Sequence, residues 1–132
     1  MIFVDSSFWI ALRVPRDPHH RKAVALAPVH GDERWVTSNH VRGETWTWVN
    51  RRAGHASAVG FLSALERSPR LDVVHVPEDL EDDALRWLRR RRRDQYSYVD
   101  ATSFALMRQL GIRNALTFDE DFTAAGFHVL RI

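Results

Sequence analysis

Apolar residues follow two rhythms along this chain. Short runs, Ile2-Phe-Val4, Arg34-Trp-Val-Thr37, Leu71-Asp-Val-Val-His-Val76, Asn114-Ala-Leu-Thr-Phe118 and Phe127-His-Val-Leu130, have the length and the β-branched or aromatic content of strands. Between them, apolar positions recur every three or four residues, the spacing of helices with one buried face. Asp5-Ser-Ser starts the first helix, which carries Phe8, Ile10, Ala11 and Leu12 and is stopped by Pro15 and Pro18. A second helix runs from about His19 to Ala27. Ser38 is placed to cap a third, through Val41, Glu44, Thr45, Trp48 and Val49, which Gly54 breaks. A fourth presents Ala58, Phe61, Leu62 and Leu65 until Ser68-Pro69. Pro77 and the acids Glu78, Asp79, Glu81, Asp82 and Asp83 open a fifth, with Leu80, Ala84 and Leu88 as its stripe and Arg89 to Arg93 as its end. Ser97 to Leu110 forms a sixth, ended by Gly111, and a short helix to Ala125 precedes the last strand.

Strands alternating with helices in this order predict an α/β chain, a parallel sheet covered by helices on both faces. Ligands of such sheets bind in the crevice beyond the carboxyl ends of the strands. The length of 132 residues suits a single domain, 1–132, and no repeat or linker divides it.

Composition narrows the chemistry. No apolar run approaches the roughly 18 residues of a membrane span. The N-terminal MIFVDSSFWIAL lacks a basic lead and carries Asp5 in its middle, which argues against a signal peptide and for a cytoplasmic protein. There are no cysteines, so disulfides and thiolate metal sites are excluded. The net charge is only +2, yet Lys22 is the sole lysine and every other basic residue is an arginine. Arginine suits phosphate through its planar fork, but a base composition favouring Arg codons gives the same result, so charge alone does not define a nucleic-acid partner.

The acids are placed more tellingly. Asp5 and the pair Asp119 and Asp121 lie just beyond strand ends, and Asp100 sits in Ser97-Tyr-Val-Asp, which has the form of a capping box. Capping or favourable helix-dipole interactions would explain each of these singly. Glu44 lies inside a helix, where capping cannot explain it and a solvated face is the ordinary role. Taken together, several carboxylates at one sheet edge would repel one another and raise one another's pKa. A divalent cation makes such a gathering favourable, and oxygen-only ligands suit Mg2+ or Mn2+. Phosphodiester hydrolysis is the chemistry that follows.

The segments MIFVDSSFWIAL, YSYVDATSFALM and ALTFDEDFTAAGF, with the Glu44 helix between the first two, resemble a PIN-domain ribonuclease, and more narrowly a VapC-type toxin of a toxin–antitoxin pair. The resemblance runs from Ile2 to about Leu130. It implies a three-layer α/β/α fold around a parallel five-stranded sheet in the order 3-2-1-4-5. It implies Mg2+- or Mn2+-dependent endonucleolytic cleavage of RNA, leaving 5′-phosphate and 3′-hydroxyl ends. By position, Asp5, Glu44, Asp100 and Asp119 match the family's four acids, and Asp121 matches a further acid often present. Asp5, Asp100 and Asp119 would be the metal ligands, and Ser7 and Thr117 the supporting hydroxyls. A VapB-like antitoxin and a homodimer are implied as partners. Gly43 before Glu44, with Trp46 and Trp48 after it, departs from the small and aliphatic residues usual there.

Some features stay open. The run Arg89, Arg90, Arg91, Arg92, Arg93 reads as a helix end complementing its dipole, as an RNA-phosphate surface, or as a contact for an acidic antitoxin tail. His19 and His20 read as surface residues. Trp46 and Trp48 cannot share one helix face, and Trp46 is the candidate for a partner contact. Two alternatives to the nuclease remain: a binding module that has lost cleavage, and another Mg2+-dependent phosphoryl-transfer enzyme. The second commonly needs an acid two residues after the first, where this chain has Ser7.

Overall fold

The computed structural model describes residues 1–90 and 95–132. The elements follow in the order β1 (Ile2–Val4), α1 (Ser6–Arg13), α2 (His20–Leu26), a 3-10 turn (Ala27–His30), β2 (Trp35–Ser38), α3 (Asn39–Ala53), α4 (His55–Arg67), β3 (Leu71–Val74), α5 (Glu78–Arg90), α6 (Tyr98–Leu110), β4 (Asn114–Leu116), α7 (Asp121–Ala124) and β5 (His128–Val129). The five strands form one sheet in the order β3-β2-β1-β4-β5, every neighbouring pair parallel. The strand order and the helical cover agree with the expected α/β/α fold.

The chain runs outward from β1 to β2 and β3, then returns across the sheet to β4 on the other side of β1. The sheet's switch of direction therefore falls between β1 and β4, in register at Ile2 with Asn114 and Val4 with Leu116. At that point the Asp5 N–H donates to the Leu116 carbonyl at 3.1 Å. A crevice opens where neighbouring strands lead their chains to opposite sides.

Three strands are shorter than their apolar runs predicted, and two of them stop where side chains take over the backbone donors. The Phe118 N–H goes to Ser7 Oγ at 2.9 Å and the Asp119 N–H to Thr117 Oγ1 at 3.0 Å. The Val76 N–H goes to Asn39 Oδ1 at 2.8 Å, past the end of β3. The third, β5, is an edge strand of two residues. The helix ends lie where their residue types predict: Ser38 caps α3 through Val41 N, and Gly54 and Gly111 take φ values of +92° and +68°, which glycine adopts at little cost.

The core is aromatic. Phe104 of α6 is fully buried against Phe122 at 4.9 Å edge-on and against Phe127 and Trp87, while Trp9, Trp35 and Phe61 form a second aromatic group under α1 and α4. Helix α6 is buried from Asp100 to Met107, and its small polar residues are satisfied locally: Thr102 and Ser103 both donate to the Val99 carbonyl. We expect Phe104→Ala to lower unfolding stability by about 3–5 kcal/mol, a large aromatic lost from a packed site; urea denaturation measures it, and a loss below about 1 kcal/mol would contradict this packing.

Trp46 is not the free residue of its pair. It is half-buried beside Ile10, Val14, Val49 and Ala58 and meets His55 edge-on at 5.8 Å. Trp48 is exposed instead, with the Arg51 and Arg52 guanidiniums 5.7 and 5.2 Å from its ring centroid. Among the described residues, no helix is long and apolar enough to cross a membrane.

Candidate active site

Asp5 follows β1 directly and is 2% exposed. Its Oδ2 accepts from Ser7 Oγ at 2.8 Å and from Thr117 Oγ1 at 2.9 Å. Each hydroxyl has one proton, and both are spent on the same carboxylate oxygen. The oxygens of Ser7 and Thr117 then accept the Phe118 and Asp119 N–H groups. The two hydroxyls thus join α1 to the chain leaving β4. The other oxygen, Oδ1, has Ser6 Oγ at 3.4 Å, a long contact. Ser6 Oγ gives its proton to Glu44 Oε1 at 2.5 Å, which draws α3 to the same rim.

Asp100 approaches from the first turn of α6. The capping box is present: Asp100 N–H donates to Ser97 Oγ at 3.0 Å, and Ser97 N–H to Asp100 Oδ2 at 3.3 Å. Asp119 Oδ1 accepts from the Asp121 N–H at 2.9 Å, fixing the turn into α7. Capping and clustering therefore coexist, because a carboxylate has two oxygens and a cap occupies one. Carboxylate oxygens of Asp100, Asp119 and Asp121 lie within 4.8 Å of one another. Asp5 forms the buried floor beside this trio.

The electrostatics are those of a gathered set of acids. Burial pushes the Asp5 carboxyl up, the Ser7 and Thr117 hydroxyls and the Ser6 backbone pull it back, and Asp119 adds a smaller upward push. The Asp100 carboxyl is raised to about 7, first by burial, then by the charges of Asp5 and Asp119. Among the described residues, no arginine, lysine or histidine forms an ion pair with Asp5, Asp100 or Asp119. An all-oxygen donor set of gathered carboxylates fits a hard divalent cation.

The structure thus brings Asp5, Glu44, Asp100, Asp119, Asp121, Ser7 and Thr117 to one edge of the sheet. The trio with mutual spacing for an ion contains Asp121 where the sequence pointed to Asp5. Ser6, the link between α1 and Glu44, was missed; its only signal was its place between Asp5 and Ser7. Gly43 is exposed with open space around its α-carbon, so its being glycine does not constrain the Glu44 pose. Arg89 and Arg90 are exposed in the last turn of α5, and Arg91, Arg92 and Arg93 lie outside the described residues.

A switch-point crevice lined by these carboxylates on a 3-2-1-4-5 sheet defines a class of α/β domain with an acidic site at the strand ends. The chain belongs to the PIN domain family, whose model matches residues 2–128. Within that family it is similar to the 23S rRNA-specific endonuclease VapC20 of Mycobacterium tuberculosis (strain ATCC 25618 / H37Rv), 51% identical over 135 residues covering 99% of this chain and 98% of that protein. The protein of the same name from strain CDC 1551 / Oshkosh shows the same identity and coverage. The crystal structure of M. tuberculosis VapC20, described as a sarcin-ricin loop cleaving toxin, superimposes with a TM-score of 0.94 at 49% identity, covering both chains fully.

Proposed function

We propose that this protein is a Mg2+- or Mn2+-dependent endoribonuclease toxin that cuts 23S ribosomal RNA at its sarcin-ricin loop. The observation that carries this reading is the meeting of Asp100, Asp119 and Asp121 within 4.8 Å beside buried Asp5. Similarity along the whole chain to VapC20, a 23S rRNA-specific endonuclease, supports this target. The oxygen donors and the absence of cysteine favour the hard cations over zinc. Asp100, Asp119 and Asp121 would hold the cation, with Asp5 contributing Oδ1. Bound there, the cation would polarise the phosphodiester and make a water acidic enough to attack it. Ser7 and Thr117 fix Asp5 so that its second oxygen stays turned from their protons. Glu44, held by Ser6, completes the acidic rim. A VapB-like antitoxin, a homodimer and a cytoplasmic setting belong to this reading.

The test is cleavage of ribosomal RNA in purified ribosomes by protein freed of antitoxin, in Mg2+, in Mn2+ and in EDTA, with the cut ends sequenced. We expect one dominant cut in the sarcin-ricin loop with either metal and none in EDTA. Cutting that persists in EDTA would remove the cation from the reading. Metal-dependent cutting elsewhere would remove the target and leave the nuclease.

A further inference from the structure

Phe8, Phe118 and His19 form a continuous stack of rings. Phe8 is fully buried, Phe118 lies 5.7 Å from it at 15°, and His19 lies 4.4 Å from Phe118 at 5°. The stack rises from the core and ends on an exposed imidazole. It stands in a cleft of about 570 Å3 whose wall also includes Asp119, one of the gathered acids, and whose rim carries Arg21, Lys22 and Arg131. Among the described residues none of these three cations is held in an ion pair. Nothing in the metal site requires an aromatic at position 19, and the His19 side chain makes no hydrogen bond capping α2.

We propose that this cleft is an RNA subsite, in which an unpaired base next to the cut phosphate stacks on His19 while Arg21, Lys22 and Arg131 hold the flanking phosphates. The proposal rests on the nuclease reading above. Its occupant follows from two features found together. Parallel rings ending at the surface offer a face that any base can extend. Cationic side chains around an apolar floor, with Asp119 and Glu120 on the side of the gathered acids, match a polyanion that also presents flat rings. The cleft shares Asp119 with the acids, so a strand lying in it passes the site of cutting.

The test uses His19→Ala, His19→Tyr and Arg131→Gln. Affinity for a fluorescent single-stranded oligoribonucleotide of mixed sequence is measured in EDTA, and KM and kcat on the same RNA with Mn2+. His19→Ala should bind about tenfold more weakly, the scale of one lost stacking contact, and raise KM with kcat nearly kept. His19→Tyr should restore affinity. Arg131→Gln should lower the salt slope of binding by about one. Since His19 is exposed, thermal melts should coincide with wild type, separating lost stacking from lost folding. Unchanged affinity and KM in His19→Ala, with wild type still cutting RNA, would overturn the subsite and leave the nuclease standing. Unchanged RNA affinity with weakened antitoxin binding would overturn it too and assign the cleft to protein. Failure of wild type to bind or cut any RNA would overturn the nuclease reading together with the subsite.

Discussion

Asp5→Asn is expected to lower the rate of RNA cleavage by at least about a hundredfold, on the scale set by loss of groups that hold or orient a catalytic cation. Asp5 Oδ2 accepts two hydroxyl protons, from Ser7 and Thr117. In the variant the amide oxygen takes that place, because an NH2 group facing two donors would leave both protons without an acceptor. The NH2 group then replaces Oδ1. An oxygen with free lone pairs and a share of negative charge becomes a donor with neither. The fold should keep its links from α1 to the chain after β4, so the loss is expected in cation binding and not in folding. Single-turnover cleavage and Mn2+ titration together check this. An Asp5→Asn protein that cuts at the wild-type rate would remove Asp5 from the site.

Ser7 and Thr117 give the graded counterpart. Either hydroxyl lost leaves Asp5 one hydroxyl donor beside the Ser7 N–H, so single alanine variants should fall between wild type and Asp5→Asn.

The sequence made the elements legible because punctuation was local. Ser38, Gly54, Gly111 and the Ser97–Asp100 box act within one turn, and each lies where its residue type predicts. The acids were legible as strand-end and helix-start residues, and their meeting followed once β1 and β4 were taken as neighbours. The detail within the cluster was not legible. Whether Asp5 or Asp121 completes the spacing with Asp100 and Asp119 depends on the turn through Glu120, held by the Asp121 N–H on Asp119 Oδ1 and the Phe122 N–H on the Asp119 carbonyl. Ser6 was hidden because its partner, Glu44, is 38 residues away. Trp46 and Trp48 could be told apart as facing different ways, but which face was covered depended on Ile10 and Val14 of the first helix region, packed against α3 across a large gap in sequence. The His19 stack was invisible for the same reason, since His19 reads as a surface residue until Phe118 is placed under it.

Asp100→Asn should inactivate the protein and stabilise it when no divalent cation is present. The Asp100 carboxyl is raised from an ordinary 3.8 to about 7 in the folded chain. Below about pH 4 it is protonated folded and unfolded, and folding carries no penalty. Between about pH 4 and 7 the unfolded chain releases this proton while the folded chain keeps it, so stability falls as pH rises. Above pH 7 the full penalty is present, on the order of 4 kcal/mol. Asparagine cannot ionise and removes it, while its amide oxygen still accepts from the Ser97 N–H. In EDTA at pH 8 the variant should therefore melt higher than wild type by about 10 °C, and the gap should close toward pH 4. Adding Mn2+ should raise the wild-type melting temperature, since binding the folded state at a hundred times Kd is worth about 2.7 kcal/mol, and should scarcely move the variant. Equal melting of the two proteins in EDTA across pH 4–8 would show that Asp100 is not under electrostatic strain. A cation effect of the same size in both would show that the ion sits elsewhere. Burial first, and the charges of Asp5 and Asp119 second, would thus cost stability at the place where the proposed cation would be held, and the melting curves measure how much a cation returns.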